Sequence, residues 1–425
     1  MTGRLGQVMA AISLCLTLSA HDGRGQGAGC VAFGVDFVDN GASDMNRSGG
    51  GDTMVMGKAA LFVEPYHFEI TELPAVPVEA GGIRVKIRSG GICGSDLHFW
   101  RGEIKPILAG EPGPVILGHE MAGVVDAMAS DISTDSKGQP LQEGDRVVFC
   151  YFFPCHRCYN CLRGELNHCP DRFRFRASVE EYPYCNGGFS DYYYLFPGHY
   201  VFKVPDDLSD EAVAGVNCAV SQVIEGWRLA NLQMGDSVVV QGAGGLGISA
   251  AASAKDRGAS QVIVIDGQAG RLELARQSGA DITIDLNEYD TAESRVERVK
   301  ELTEGRGADI VMEVVGYPQV INEGIDMVRR GGAYVEIGNI WPNSMVTLDM
   351  AKVLWGQVRI IPVTHYHPST LPVALDFLSR TKDRFPLTNV MSHSFSLEDI
   401  GKAFEQCEWL GKEEGTAITR AFITP

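Results

Sequence analysis

Four cysteines, Cys155, Cys158, Cys161 and Cys169, stand close together in the polar run PCHRCYNCLRGELNHCP. Thiolates at i, i+3, i+6 and i+14 can converge on one tetrahedral Zn²⁺, with Zn–S near ~2.3 Å. With all four positions filled, such a site admits neither water nor substrate, so its role is structural. The same Cys-x₂-Cys-x₂-Cys spacing also suits an iron–sulfur cluster, and four unmetallated thiols are a third reading; zinc is preferred. His156 and His168 lie in the loop, are surplus to four ligands and read as solvated. Cys93, in GGICGSDLHFWRG, and His119, in ILGHEMAG, have the same soft-metal chemistry. Each alone reads more simply as packing or as a satisfied polar side chain. Joined by Cys218, in GVNCAVSQ, they make a three-ligand set whose fourth coordination position stays open to a reactant.

A second chemistry belongs to VVVQGAGGLGISAAASA. Gly242, Gly244 and Gly247 fit GxGxxG, with Gly245 between them. A chain with 50 glycines makes such patterns by chance, so the weight rests on context. An apolar strand precedes the motif, an Ala-rich helix follows, and a second strand, QVIVID, ends at Asp266. The first glycine permits the tight turn, the second lets backbone approach a pyrophosphate, and the third lets helix and strand pack closely. The helix N-terminus then favours the phosphate charge. Asp266 is expected to accept hydrogen bonds from the adenosine ribose and to repel a 2′-phosphate, which favours NAD over NADP. Arg271, beside the same ribose, weakens that preference. A glycine-rich turn without ligand is the bland alternative.

These residues need elements to hold them. From Met56, with MGKAALFVE, to about Ala219, short β-like runs such as IRVKIRSGGICG and GDRVVFCYF alternate with Gly and Pro. Helical stretches then alternate with the apolar runs SVVVQG, QVIVIDG, ITIDL, ADIVMEVVG, AYVEIGN and VRIIPVT, which predicts a parallel sheet with crossover helices. An amphipathic helix, LPVALDFLSRT, and a strand-like run, TAITRAFIT, close the chain. The fold class is therefore α/β: a doubly wound, Rossmann-type sheet over 221–364, inserted between β-rich pieces at 56–220 and 365–425, with the cysteine lobe at 150–170.

The chain has 425 residues, 45% of them hydrophobic and 21% charged, which suits two globular domains. A net charge of −18 repels phosphate backbones and argues against a nucleic-acid partner. Eleven cysteines, an odd number in a long chain, argue against a secreted disulfide scaffold and for a reducing compartment, the cytoplasm. The apolar run 8–20 after Arg4 is too short to cross a bilayer as a helix, so no membrane role is expected. It reads either as a signal-peptide core or, preferably, as part of a dispensable extension over 1–55 from an upstream start codon.

GICGSDLH, GHEMAG, the cysteine loop, NCAVS and GAGGLG follow one another in an order that resembles the zinc-dependent medium-chain dehydrogenase/reductases, the alcohol dehydrogenase family. The resemblance runs from about Met56 to the C-terminus. It implies a β-rich, GroES-like catalytic domain around the Rossmann domain, two Zn²⁺ per subunit and a homodimer or homotetramer. It implies that Cys93, His119 and Cys218 hold the catalytic zinc, while Asp96 and Glu120 stand behind it, with Asp96 orienting His119. Ser95 and His98 look like a proton relay, and Arg420 resembles an arginine that reaches the cofactor phosphates. The implied reaction takes a primary or secondary alcohol to an aldehyde or ketone with NAD⁺, via a zinc-bound alkoxide and hydride transfer. A sugar or polyol dehydrogenase of the same family, a redox-silent NAD-binding protein and a zinc-free reductase are the rivals. Gly94 stands where many relatives carry a basic residue, and Ala219 and Gln222 replace a glycine and a threonine. Tyr151, Phe99 and Trp100 flank the metal motifs and read equally as pocket walls, for an apolar or cyclic alcohol, or as core.

Overall fold

The computed structural model describes residues 55–105, 113–173, 179–180, 183–408 and 420–425. The expectation for 1–55 falls, but for Val55, outside these residues. Six apolar strands lie parallel, in the sheet order Ile282–Asp285, Gln261–Asp266, Ser237–Gln241, Ala308–Glu313, Val328–Glu336, Arg359–Pro362. Their Val- and Ile-rich runs follow from burial on both faces. Val238 and Val240 enter one core cluster with Trp227 of the helix Ser221–Ala230 and Ala250 of the helix Gly245–Asp256. Val239 enters another, with Val299 of the helix Ala292–Leu302 and Ile325 of the helix Gln319–Met327. The strand order reverses between Ser237–Gln241 and Ala308–Glu313. A crevice therefore opens at their carboxyl ends, the place where doubly wound sheets take ligands.

The β-rich part carries a second sheet in the order His393–Ser396, Ala421–Thr424, Ile83–Gly91, Glu120–Met128, Arg146–Phe149, Val201–Lys203, with Tyr192–Leu195 pairing Ile83–Gly91. A three-stranded sheet, His67–Pro74, Met56–Glu64 and Val115–Ile116, packs separately. One piece of register matters for chemistry. Gly91 pairs antiparallel with Glu120, and Phe422 with Gly91. Cys93, His119 and Arg420, each one or two residues beyond those pairs, therefore emerge at the same end of the sheet.

Candidate active site

Cys93 caps the helix Gly94–Trp100, and His119 precedes the strand Glu120–Met128. Cys218 sits in a π-helical turn, Val216–Val220, where the Val220 N–H reaches back to the Gly215 carbonyl at 3.3 Å. Such turns are rare and collect at functional sites. Ligand atoms of Cys93, His119, Glu120 and Cys218 all lie within 4.8 Å of one another. Asp96 accepts the Cys93 N–H at 2.9 Å through Oδ2, while its Oδ1 stands 3.5 Å from His119 Nδ1, so one carboxylate orients two of the donors. Burial disfavours a charged imidazole, but the Asp96 and Cys93 charges outweigh it and raise His119 to about 10. The hydrogen bond from Cys218 makes Cys93 the thiolate of the pair and Cys218 the thiol. Burial is the main force lifting Glu120 to about 8, against the pull of Arg420. Two thiols, an imidazole and a carboxylate, all buried and competing for too little positive charge, are a donor set that fits a divalent soft cation.

Arg420 donates to Glu120 Oε1 at 2.8 Å. On its other side it crowds the glycine loop, since a Cβ on Gly245 would fall 3.2 Å from the guanidinium. The arginine thus links the cluster of Cys93, His119, Glu120 and Cys218 to the loop expected to hold phosphates. In that loop Gly242 takes φ +100, Gly244 faces open space, and a Cβ on Gly247 would fall 1.8 Å from the Gly242 carbonyl oxygen. Gly242 and Gly247 thus have a steric need for glycine, and Gly244 leaves its side of the loop open. Asp266 accepts the Ala243 N–H at 2.7 Å and the Gln268 N–H at 2.9 Å, closing the loop from behind. Its oxygens keep lone pairs for further donors. Arg271 lies in the helix Ala269–Gln277 and has no ion-pair partner among the described residues.

A cavity of about 320 Å³ opens from Cys93, His119 and Cys218. Phe99, Tyr151 and Phe173 line it from the β-rich side, and Leu246, Val315 and Gly338 from the parallel sheet. Ser95 lies on it, with Oγ 3.4 Å from His119 Nε2. His98 lies on it too, its Nδ1 facing Glu103, its ring 4.7 Å from Trp341. Gln222 also lines it, and its Nε2 is committed to the Val363 carbonyl at 2.9 Å. Trp100 does not line it. It stacks on Phe68 at 5.2 Å and meets Phe404 at 5.3 Å in the core. Successive helical residues turn by ~100°, so Trp100 cannot share the face of Ser95 and His98.

The sequence reading missed Asn217. Its Nδ2 donates to the carbonyls of His119 at 3.0 Å and Phe149 at 3.1 Å, and its Oδ1 accepts the Met121 N–H at 3.2 Å. It pins the turn bearing Cys218 to the strand behind His119. A lone amide in the apolar stretch VNCAV was the available signal. The other four cysteines also converge. Cys155 Sγ lies 4.0 Å from Cys161 Sγ, and Cys158 Sγ 3.9 Å from Cys169 Sγ. Tetrahedral Zn–S bonds of ~2.3 Å put sulfurs ~3.8 Å apart, whereas a cluster's own width would hold them farther off. His156 takes a left-handed φ of 56°. Burial resists ionisation of Cys155, but the amides of Arg157 and Cys158 aim at its sulfur and bring it down to about 7. His156 and His168 are exposed, as read.

Residues 79–206 match the model of the alcohol dehydrogenase GroES-like domain, and 245–380 that of the zinc-binding dehydrogenase. A 5-exo-hydroxycamphor dehydrogenase of Pseudomonas putida is 32% identical over 354 residues, 83% of this chain and 96% of the relative. The chain belongs to the zinc-type medium-chain alcohol dehydrogenase family. Among the dehydrogenase's other relatives, a sorbitol dehydrogenase of Bacillus subtilis is 31% identical over 82% of this chain and 93% of its own. The solved alcohol dehydrogenase of Thermotoga maritima superposes with a TM-score of 0.79 at 29% identity, over 87% of this chain and 100% of its own. The dehydrogenase is thus an oxidoreductase of a family that oxidises alcohols with zinc and NAD(P) and acts on small molecules. Among the described residues no helix is long and apolar enough to cross a membrane.

Proposed function

We propose that this chain oxidises a compact, mainly apolar alcohol, primary or secondary and cyclic alcohols among them, to an aldehyde or ketone with NAD⁺. In this reading Cys93, His119 and Cys218 hold one zinc, and Cys155, Cys158, Cys161 and Cys169 hold a second, structural one. The cavity carries the reading. Cys93, His119 and Cys218 form its floor with Ser95 and His98 beside them, and Phe99, Ile104, Phe173, Val315 and Ile340 form its walls. Tyr151, Gln222, Thr364 and His365 are the polar exceptions there, and the Gln222 amide is already committed to the Val363 carbonyl. A polyol would lose hydration against such walls without enough partners.

When bound, zinc supplies the Lewis acidity that lowers a hydroxyl's pKa, and nicotinamide accepts the hydride. The chain's own residues do the rest. Asp96 fixes the imidazole of His119. Glu120, held by Arg420, is a reserve donor at the same centre. Ser95 Oγ would accept the hydroxyl proton as it releases its own toward solvent through His98, whose Nδ1 faces Glu103. The apolar walls exclude water from the reacting carbon. Asp266 sets the preference for NAD by repelling a 2′-phosphate, tempered by Arg271. Leu354 and Trp355, each 72% exposed, stand on the helix Met350–Gly356 leading to the edge strand Arg359–Pro362, and a homodimer or homotetramer would bury them. The nine described cysteines are unbridged, which suits the cytoplasm.

The test is NADH formation by purified, zinc-quantified protein with cycloaliphatic, linear and polyhydroxy alcohols. The expected kcat/KM for a cycloaliphatic alcohol exceeds that for sorbitol or xylitol by about tenfold or more. The reverse order overturns the substrate class, and no NADH with any alcohol overturns the reaction.

A further inference from the structure

Two acids on neighbouring parallel strands take no part in the chemistry above. Glu313 ends Ala308–Glu313, Glu336 ends Val328–Glu336, and the register sets them side by side. Glu313 is wholly buried. Its Oε1 accepts the N–H groups of Val315 and Gly316, both at 2.6 Å. Its Oε2 accepts the Gly338 N–H at 3.1 Å and Asn339 Nδ2 at 3.2 Å. One carboxyl thus ties together the turns that follow two different strands. Those turns touch: a Cβ on Gly338 would fall 2.4 Å from the Gly316 nitrogen and 2.6 Å from Glu313 Oε2. They carry Val315 and Gly338, which line the cavity beside the metal ligands. They also follow strand ends next to the point where the sheet order reverses.

We propose that Glu313 is a positioning residue for the dinucleotide: by clamping both turns, it fixes the wall on which the nicotinamide end of the cofactor rests. The proposal rests on the NAD reading above. Two carboxylates side by side, Glu313 wholly buried and Glu336 half-buried, cannot both ionise cheaply. Glu336 Oε1 accepts Asn339 N and Nδ2, both at 3.0 Å, while its buried Oε2 has no hydrogen-bond partner among the described residues. One shared proton between the acids resolves both facts. Burial, and then the Glu336 charge, push Glu313 up to about 8. The other ionisable groups packed here are Tyr334, on the strand of Glu336, and Glu323, on the helix Gln319–Met327, already paired with Arg295 at 2.5 Å. Neither supplies a cation to the pair. Loss of the shared proton at alkaline pH therefore sets the two charges against each other and loosens the clamp.

The experiment is direct NADH binding, by fluorescence titration from about pH 6 to about pH 10, with zinc content measured on each sample. Wild type is expected to bind at neutral pH and weaken above about 8. Glu313→Ala should raise the Kd for NADH at neutral pH by about tenfold or more, with zinc content unchanged. Glu336→Gln removes one of the two charges and keeps an oxygen that accepts from the protonated Glu313. It should keep the neutral-pH Kd within about twofold and abolish the alkaline weakening. If Glu313→Ala does not fold, the pH profile of Glu336→Gln decides alone. An unchanged Kd in Glu313→Ala, or alkaline weakening that survives in Glu336→Gln, overturns the clamp. Wild type that binds no NADH at any pH overturns the cofactor reading instead.

Discussion

Asn217→Ala probes what holds the metal ligands in place. The side chain has no accessible surface. Its removal strips partners from the Met121 N–H and from the carbonyls of His119 and Phe149. The Tyr366 hydroxyl bond to the Asn217 carbonyl remains, so the effect isolates the side chain. An orphaned buried polar group costs ~1–3 kcal/mol, and carbonyls tolerate the loss better than N–H groups. One full penalty and two partial ones give a destabilisation of ~3 kcal/mol. At ~2–4 °C per kcal/mol, Tm falls by ~6–12 °C. The lost bonds anchor the backbone of His119 and the turn of Cys218, so zinc affinity at that centre should drop ~10–100-fold. Calorimetry and metal analysis after dialysis against a chelator read both effects. A variant within ~0.5 kcal/mol of wild type that retains all its zinc would refute the reasoning.

Four further outcomes are expected. Cys93→Ser should lose one zinc equivalent and turnover while keeping NADH binding; normal activity would remove Cys93 from the ligand set. Asp266→Ala should weaken NAD more than NADP, shifting the Kd ratio by about tenfold, and an unchanged ratio would end that assignment. Because Glu313 sits near 8 in the folded chain against an ordinary 4.5, the folded form keeps a proton that the unfolded form has lost between those values. Its contribution is fully present below 4.5 and declines by up to ~1.4 kcal/mol per pH unit toward 8. Denaturant melts across that window should show a shallower slope in Glu313→Ala than in wild type, and an equal slope would remove Glu313 from the account. Trp355→Glu should dissociate the assembly in sedimentation analysis with the fold intact, and an unchanged sedimentation coefficient would place the interface elsewhere.

Local spacing made much of the site legible. Cysteines three apart can meet only by turning tightly on one another, and the glycine loop carries its own steric reasons. Gly247, whose missing Cβ leaves room for the Gly242 carbonyl, is readable because both residues lie within one turn. The parallel sheet was legible because each strand is a short β-branched run between helices. Trp100 was ambiguous because adjacency to a motif says nothing of which way a helical residue points. Asn217 and Glu313 were beyond reach for a different reason. Some of their partners, Phe149 for one and Gly338 for the other, are set by the folding of separate elements against each other and not by local spacing. A lone polar residue in an apolar run hints at such a role without naming its partners.

The cysteine lobe has a consequence for the chain's lifetime. Beyond Phe153, which packs into the main core, the described residues 155–169 have one core cluster, their own sulfurs packed with Leu166. Tyr159 and Leu162, 74% and 77% exposed, add no interior. Were the zinc proposed for the quartet withdrawn, residues 155–169 would keep no apolar core of their own to hold them closed and would offer proteases an open loop. Scarcity of that metal would then be felt first as cleavage here, so the amount of protein, and not only its specific activity, would track metal supply.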